Sequence, residues 1–379
     1  MNQQAFRSQV LTSYGAKNSE LTELLDYNRN VFDLRRIEDA DNSSPDRPQL
    51  SLWRQTLETG KTTGIFQALR SILVQLQFPI RSGISQTKLY REATLKGQTA
   101  SMHNVRGLEL LQPDRLQLII HPTRAGAIPV LLPGNRDDFV ALVRALTKKN
   151  EPKPVPDSMG ACMVANYNNW GLIDRYRQQW RVKNSDRCSA RDWQLEFRRL
   201  IPQKHLYQDH FIILSRGFYS GLSPQSMKLS EAEWQRLSLN IRLEHECTHY
   251  FTYRVLGSMR NNLLDELIAD YQGIVSAIGY YRADWFLRFM GLESFPNYRS
   301  GGRFENYLGK PPLSEMAVKI LQQLVVAAAQ NLEYFDRHYL KAESRDRVLL
   351  ALTSLTLEEL ASTMACERIE QSLERLVCV

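Results

Sequence analysis

Between Ile241 and Gly273 the chain reads IRLEHECTHYFTYRVLGSMRNNLLDELIADYQG, and no other stretch restricts its fold and chemistry as tightly. Within it, His245-Glu246-Cys247-Thr248-His249 fits the pattern H-E-x-x-H. Residues four apart share a helix face, so His245 and His249 can offer two imidazole nitrogens to one metal ion, while Glu246 reaches a water on that ion. The flanking residues predict the helix this needs. Ser230-Glu231-Ala232-Glu233 is a capping-box sequence, the pattern continues through Trp234, Leu237, Ile241, His245, His249 and Thr252, and Gly257 is a natural stop.

A second helix is predicted to start after Asn261-Asn262 and to run past Asp284, with Leu263, Leu267, Ile274, Ile278 and Tyr281 on its apolar stripe. Glu266 and Asp270 share another face of it. Folded back on the first helix, Glu266 can complete a three-ligand metal site and Asp270 can accept a hydrogen bond from the outer nitrogen of a ligand histidine. Asp265 is the weaker candidate, because the residue four positions on is Ala269. Cys247 points off the histidine face and reads as a packing residue.

H-E-C-T-H followed by E-L-I-A-D resembles the gluzincin clan of zinc metallopeptidases, whose pattern is HExxH and then ExxxD or ExxAD on a second helix. The resemblance implies Zn2+ as cofactor, with His245, His249 and Glu266 as ligands, Glu246 as catalytic base and Asp270 behind a ligand histidine. It also implies a zincin-like catalytic half that includes a small β-sheet. The metzincin pattern is excluded, since Thr252 and Val255 stand where it requires Gly and His. Only the stretch from Ile241 to Gly273 carries the likeness.

In such a site three protein ligands leave room for a water, and Glu246 is the group to take its proton as it attacks a carbonyl carbon. The developing oxyanion needs a further donor. Tyr271, Arg299, Arg303, Tyr307 and His338 are the candidates, and the Ser300-Gly301-Gly302 turn can carry the arginines toward the cleft. Tyr271, Arg303 and His338 complete the expected catalytic set.

Composition bounds the rest. A chain of 379 residues that is 43% hydrophobic and 23% charged suits one large core or two domains. The formal charge of +7 is spread among 41 acidic residues, and Arg35-Arg36, Lys148-Lys149 and Arg198-Arg199 are too short to form a nucleic-acid-binding tract. Five widely spaced cysteines without a C-x-x-C pair imply neither a disulfide framework nor a cysteine-zinc knuckle. With no signal-type N-terminus and no run of membrane-spanning length, the expected location is cytoplasmic, with no membrane partner.

Elsewhere the pattern predicts helices over 19–37, 50–59, 61–77, 88–97, 137–147, 170–180, 190–201 and 313–335, interrupted by the polar stretch 38–49. Gly60-Lys61-Thr62 imitates the end of a phosphate-binding loop, but Gln55 replaces its first glycine and a helix precedes it. LQLIIHP (116–122) and AIPVLLPG (127–134) read as a hairpin or two neighbouring strands, MGACMVANYNNWG (159–171) as turns, and HFIILS (210–215) as a buried strand that could align a peptide substrate. His121 and His103 are lone histidines with little to recommend them. The proline-rich KKNEPKPVPD suggests a boundary between an N-terminal region, 1–155, and a metallohydrolase region, 156–379.

The reading is thus a mainly helical α+β protein that hydrolyses a peptide or amide bond with zinc-activated water. The rivals are a zinc enzyme acting on a small molecule or biosynthetic intermediate, and a non-catalytic zinc-containing binding protein.

Overall fold

In a computed structural model, which describes residues 2–36, 49–99, 106–184, 189–341 and 345–375, local caps decide where the two motif-bearing helices begin and end. Ser230 Oγ accepts from the Glu233 backbone N–H at 3.3 Å, opening a helix over Glu231–Leu256. Gly257 closes it at φ 79°, a conformation that suits glycine. The second helix spans Asn262–Ile278 and stops at Gly279, φ 88°. The single helix expected past Asp284 is therefore two, the next being Ala283–Met290.

The two motif-bearing helices pack in opposite senses, as the pairing of Ile241 with Gly273, His245 with Asp270 and Thr252 with Asp265 shows. Gly273 makes their close approach possible. A Cβ there would lie 2.7 Å from the Ile241 carbonyl oxygen, so even alanine would push the backbones apart.

By internal contacts the chain divides into two units, residues 1–43 with 218–379, and residues 44–217. The first unit joins both ends of the described sequence. Arg7 pairs with Glu358 at 3.1 Å, and Asn28 Nδ2 donates to the same carboxylate at 3.2 Å. Burial pushes the Glu358 carboxyl up, against the opposing pull of Arg7. The long helix Glu315–His338 supplies an apolar spine of Leu321, Leu324, Ala328 and Leu332, all fully buried. Each buried leucine contributes about 1.5–3 kcal/mol. The helix expected over 19–37 is shorter, Asn18–Tyr27, and an unpredicted helix, Gln3–Ser13, precedes it.

The second unit holds a four-stranded sheet: β1 (Gln117–His121), β2 (Ile128–Leu132), β3 (Ala161–Asn168) and β4 (Gln208–Leu214), in the order β1-β2-β4-β3. β1 and β2 form the expected antiparallel hairpin, with Thr123 Oγ1 donating to the Gly126 carbonyl across its turn. β4 runs parallel to β2 and antiparallel to β3. Against it pack Phe139, Leu142 and Trp53, and the Trp53 indole N–H donates to Asp209 at 2.6 Å.

Four expectations change here. The boundary at 155 falls inside the second unit, because β3 and β4 lie beyond the prolines yet pair back to β2. HFIILS is an interior strand, flanked by β2 and β3, and cannot align a substrate by edge pairing. The stretch read as turns contains β3, whose irregular register skips Ala165 and Asn166. The helix break expected at Gly60 lies at Gly64, φ 84°, so Gly60-Lys61-Thr62 sits inside the helix Leu50–Thr63 and forms no phosphate loop. The chain is mainly helical α+β, as expected, but the sheet is not in the unit that holds the motif. His103 and nearly all of 38–49 lie outside the described residues. No described helix is long and apolar enough to cross a membrane.

Candidate metal centre

His245 and His249 project from one face of the first motif-bearing helix, one turn apart, and their Nε2 atoms stand 3.0 Å from each other. Glu266, from the second, brings Oε2 to 3.8 Å from His245 Nε2 and Oε1 to 3.5 Å from His249 Nε2. All three residues are at least nine-tenths buried, with exposures of 6%, 7% and 9%. One ligand atom from each lies within 4.8 Å of the others.

The outer nitrogens fix the tautomers. His245 Nδ1 is 2.8 Å from Asp270 Oδ1, and His249 Nδ1 is 2.9 Å from Asp265 Oδ2. An ionised carboxylate only accepts, so each Nδ1 carries the proton and each Nε2 turns a lone pair toward the other. Two lone pairs and a carboxylate at such distances repel unless something positive lies among them. In the protein alone that is a proton on His249. Burial disfavours the His249 cation, but Asp265 and Glu266 outweigh burial and hold its pKa well above the usual histidine range.

Arg303 supplies the permanent positive charge. The loop ahead of it is pinned at Gly302, where a Cβ would stand 2.5 Å from the Met290 carbonyl oxygen. Its guanidinium hydrogen-bonds Glu266 Oε2, stands 3.1 Å from Asp270 Oδ2 and donates to the Tyr219 hydroxyl at 2.9 Å. Burial would raise the Glu266 and Asp270 carboxyls, but Arg303, followed by the histidines, holds Glu266 well below and Asp270 below the usual carboxylate range. Tyr219 donates to Asp270 Oδ1 at 2.5 Å, and burial keeps its phenol protonated by pushing the pKa far up. Burial, and after it the Glu266 charge, pushes the Tyr307 phenol up.

The structure thus brings together His245, His249, Glu266, Asp270 and Arg303. Glu246 follows His245 on the same helix, half-buried, without a hydrogen-bond or ion-pair partner among the described residues. Tyr271 is elsewhere: one residue past Asp270 turns it about 100° around the helix, and its hydroxyl donates to Asp336 at 2.8 Å. His338 ends its helix exposed, against the Tyr334 ring and carbonyl. Neither belongs to the cluster. Arg299 is engaged by Glu293 and the Arg288 carbonyl, and His121 closes β1 in the other unit. Cys247 is buried, and burial pushes its thiol up, as suits a packing residue.

Asp265, expected only as a weaker ligand than Glu266, instead stands behind His249, and Tyr219 was not among the expected residues. Opposed helices reverse the order of partners, so the later histidine meets the earlier aspartate. That rule makes Asp265 findable, whereas the short turn Tyr219–Gly221 carries no local signal of its own.

The donor set is of the kind that holds a metal, two nitrogens and a carboxylate with the outer nitrogens oriented by carboxylates. The chain itself belongs to a family of unknown function, DUF7005, whose pattern it matches over residues 9–364. Neither the curated proteins nor the solved structures yield a match to it.

Proposed function

We propose that this protein is a zinc-dependent hydrolase of the gluzincin type that cleaves a peptide or amide bond. The observation that carries the reading is the convergence of two Nε2 lone pairs and the Glu266 carboxylate on one buried point. Tetrahedral zinc with ligands near 2.0–2.1 Å separates its ligand atoms by about 3.3 Å; the two Nε2 atoms stand 3.0 Å apart, and the two Glu266 oxygens stand 3.8 Å from His245 Nε2 and 3.5 Å from His249 Nε2. Charge supports the same ion. Asp265, Glu266 and Asp270 face one arginine, and a divalent cation brings their sum to zero.

His245, His249 and Glu266 would hold the zinc, which when bound supplies a Lewis acid that makes a water acidic enough to attack near neutral pH. Asp270 and Asp265 keep the protons on Nδ1 of His245 and His249, so both Nε2 atoms remain donors of electron pairs. Tyr219 and Arg303 fix Asp270, and Arg303 fixes Glu266. Glu246 takes the proton of the attacking water on its free carboxylate and returns it to the leaving nitrogen. Arg303, expected as an oxyanion donor, is bound to carboxylates in this arrangement and acts as their counter-charge.

One observation favours a small amide-containing substrate over a long peptide. Among its described residues the unit that holds the cluster has no β-strand, only the isolated bridge between Ser294 and Asn297, so it offers no edge for a peptide to extend.

Purified protein is expected to carry close to one zinc per chain by mass spectrometry of the metal. Glu246→Gln should keep that zinc and lower turnover by about 10²- to 10⁴-fold on whichever substrate a panel of N-acyl amides and peptides identifies. Full turnover in the variant would remove Glu246 from the mechanism, and a protein that takes up no zinc after reconstitution would sink the reading.

A further inference from the structure

A second candidate site lies in the sheet-bearing unit and does not depend on the metal reading. There a cavity of about 430 Å³ is walled by the helix Lys88–Lys96, the end of the helix Arg136–Thr147 and the outer edge of β3. That volume is in the range of small-molecule sites. Among the described residues no aspartate or glutamate lines it, whereas Arg91 and Lys149 do. Among the described residues neither of these side chains has a hydrogen-bond or ion-pair partner. Gln75 also lines it and adds a neutral donor, because the Tyr167 hydroxyl donates to its Oε1 and leaves its amide N–H groups unengaged among the described residues. Glu151, which approaches the rim, has its carboxylate engaged by the N–H groups of Gly83 and Ser85, both at 2.9 Å.

The backbone is bent around the same space. Lys149 and Asn166 both line the cavity with positive φ, 56° and 57°, a conformation that costs a residue with a Cβ. At Lys149 the bend is imposed by its neighbour. Asn150, φ 58° and fully buried, is locked by the Tyr90 hydroxyl and by its own donation to the Gln75 and Phe78 carbonyls. Asn166 lies where the β3 register with β4 breaks. Strain of this sort collects at ligand clamps, held in place by rigid surroundings.

We propose that this cavity binds a small dianion, phosphorylated or dicarboxylic, with Arg91 and Lys149 as its two counter-charges. Arg91 offers a planar fork that fits either a phosphate or a carboxylate, Lys149 a point charge, and Gln75 a neutral donor.

Calorimetric titration of the full chain with inorganic phosphate, glycerol 3-phosphate and succinate, at ionic strength held constant with chloride, tests this. At least one should bind saturably, and Arg91→Gln and Lys149→Gln should each weaken it by about tenfold or more. Binding by the phosphates alone makes the ligand phosphorylated; binding by succinate alone makes it a dicarboxylate. No saturable binding of any of the three overturns the proposal, as does binding that both variants retain. Lys149→Gly separates strain from function, because it should melt higher than the parent and still bind about tenfold more weakly. A higher melting point with unchanged affinity would also overturn the assignment.

Discussion

The histidine–carboxylate cluster and the sheet-side cavity gather charge in opposite ways. In the cluster every carboxylate facing the histidines is matched by an imidazole, a guanidinium or a phenol within 3.5 Å, and the histidines and these carboxylates are buried. In the cavity two cations have no hydrogen-bond or ion-pair partner among the described residues. Buried charges cannot stand unpaired, so each carboxylate of the cluster has an opposite charge or a donor within reach. Exposed charges can wait for a ligand because water solvates them meanwhile. The difference marks one region as a place where a removed charge damages the fold, and the other as a place where it changes only what binds.

The sharpest way to break this contrast is to remove one arginine from each. Arg303→Leu should destabilise the metal-free protein by about 3–5 kcal/mol, because Glu266 and Asp270 are then buried without their counter-charge. Arg91→Leu should leave the urea midpoint where it is. Equal midpoints for the two variants would remove the distinction.

Next come the groups behind the ligands. Asp270→Asn and Asp265→Asn should each lower zinc affinity by about 10- to 100-fold in chelator competition, with Glu266→Ala lowering it further. A normal affinity in Asp265→Asn would return that residue to the lesser role its sequence context suggests.

The smallest effect is one of pH. His249 holds its proton above the usual histidine value, so that stabilisation is complete below about pH 6.5 and is lost as pH rises through the higher folded pKa. Glu266 and Asp270 behave oppositely: their contribution is present above the ordinary carboxylate range and is lost as pH falls through their depressed values. Zinc must displace the His249 proton, so its affinity should climb about tenfold per pH unit until that pKa is passed. The metal-free melting temperature should fall over the same interval. Parallel slopes with and without zinc would contradict the shared lone pair.

What could be read beforehand was what short-range rules govern. Ser230 and Gly257 bracket the first motif-bearing helix because capping is local, and Glu266 with Asp270 followed from helical spacing. Asp265 was legible only once the two helices were known to run in opposite senses. Tyr271 and His338 were chosen for their chemistry alone; the first turns toward Asp336 and the second ends on the surface. β3 was hidden by its small and polar residues, and the interior place of β4 is a matter of pairing across more than 70 residues, which no local pattern encodes. Tyr219 enters the cluster from a short turn for the same reason.

The division of the chain has its own consequence for how the protein is made. The helices Gln3–Ser13 and Asn18–Tyr27 leave the ribosome long before their partners near Glu358, with the whole of residues 44–217 translated in between. The sheet-bearing unit can therefore complete itself during synthesis, while the apolar faces around Phe6, Val10, Leu11 and Leu24 wait without cover. The histidine–carboxylate cluster cannot assemble before Arg303 has been translated, and the helices Gln3–Ser13 and Asn18–Tyr27 wait for residues beyond it.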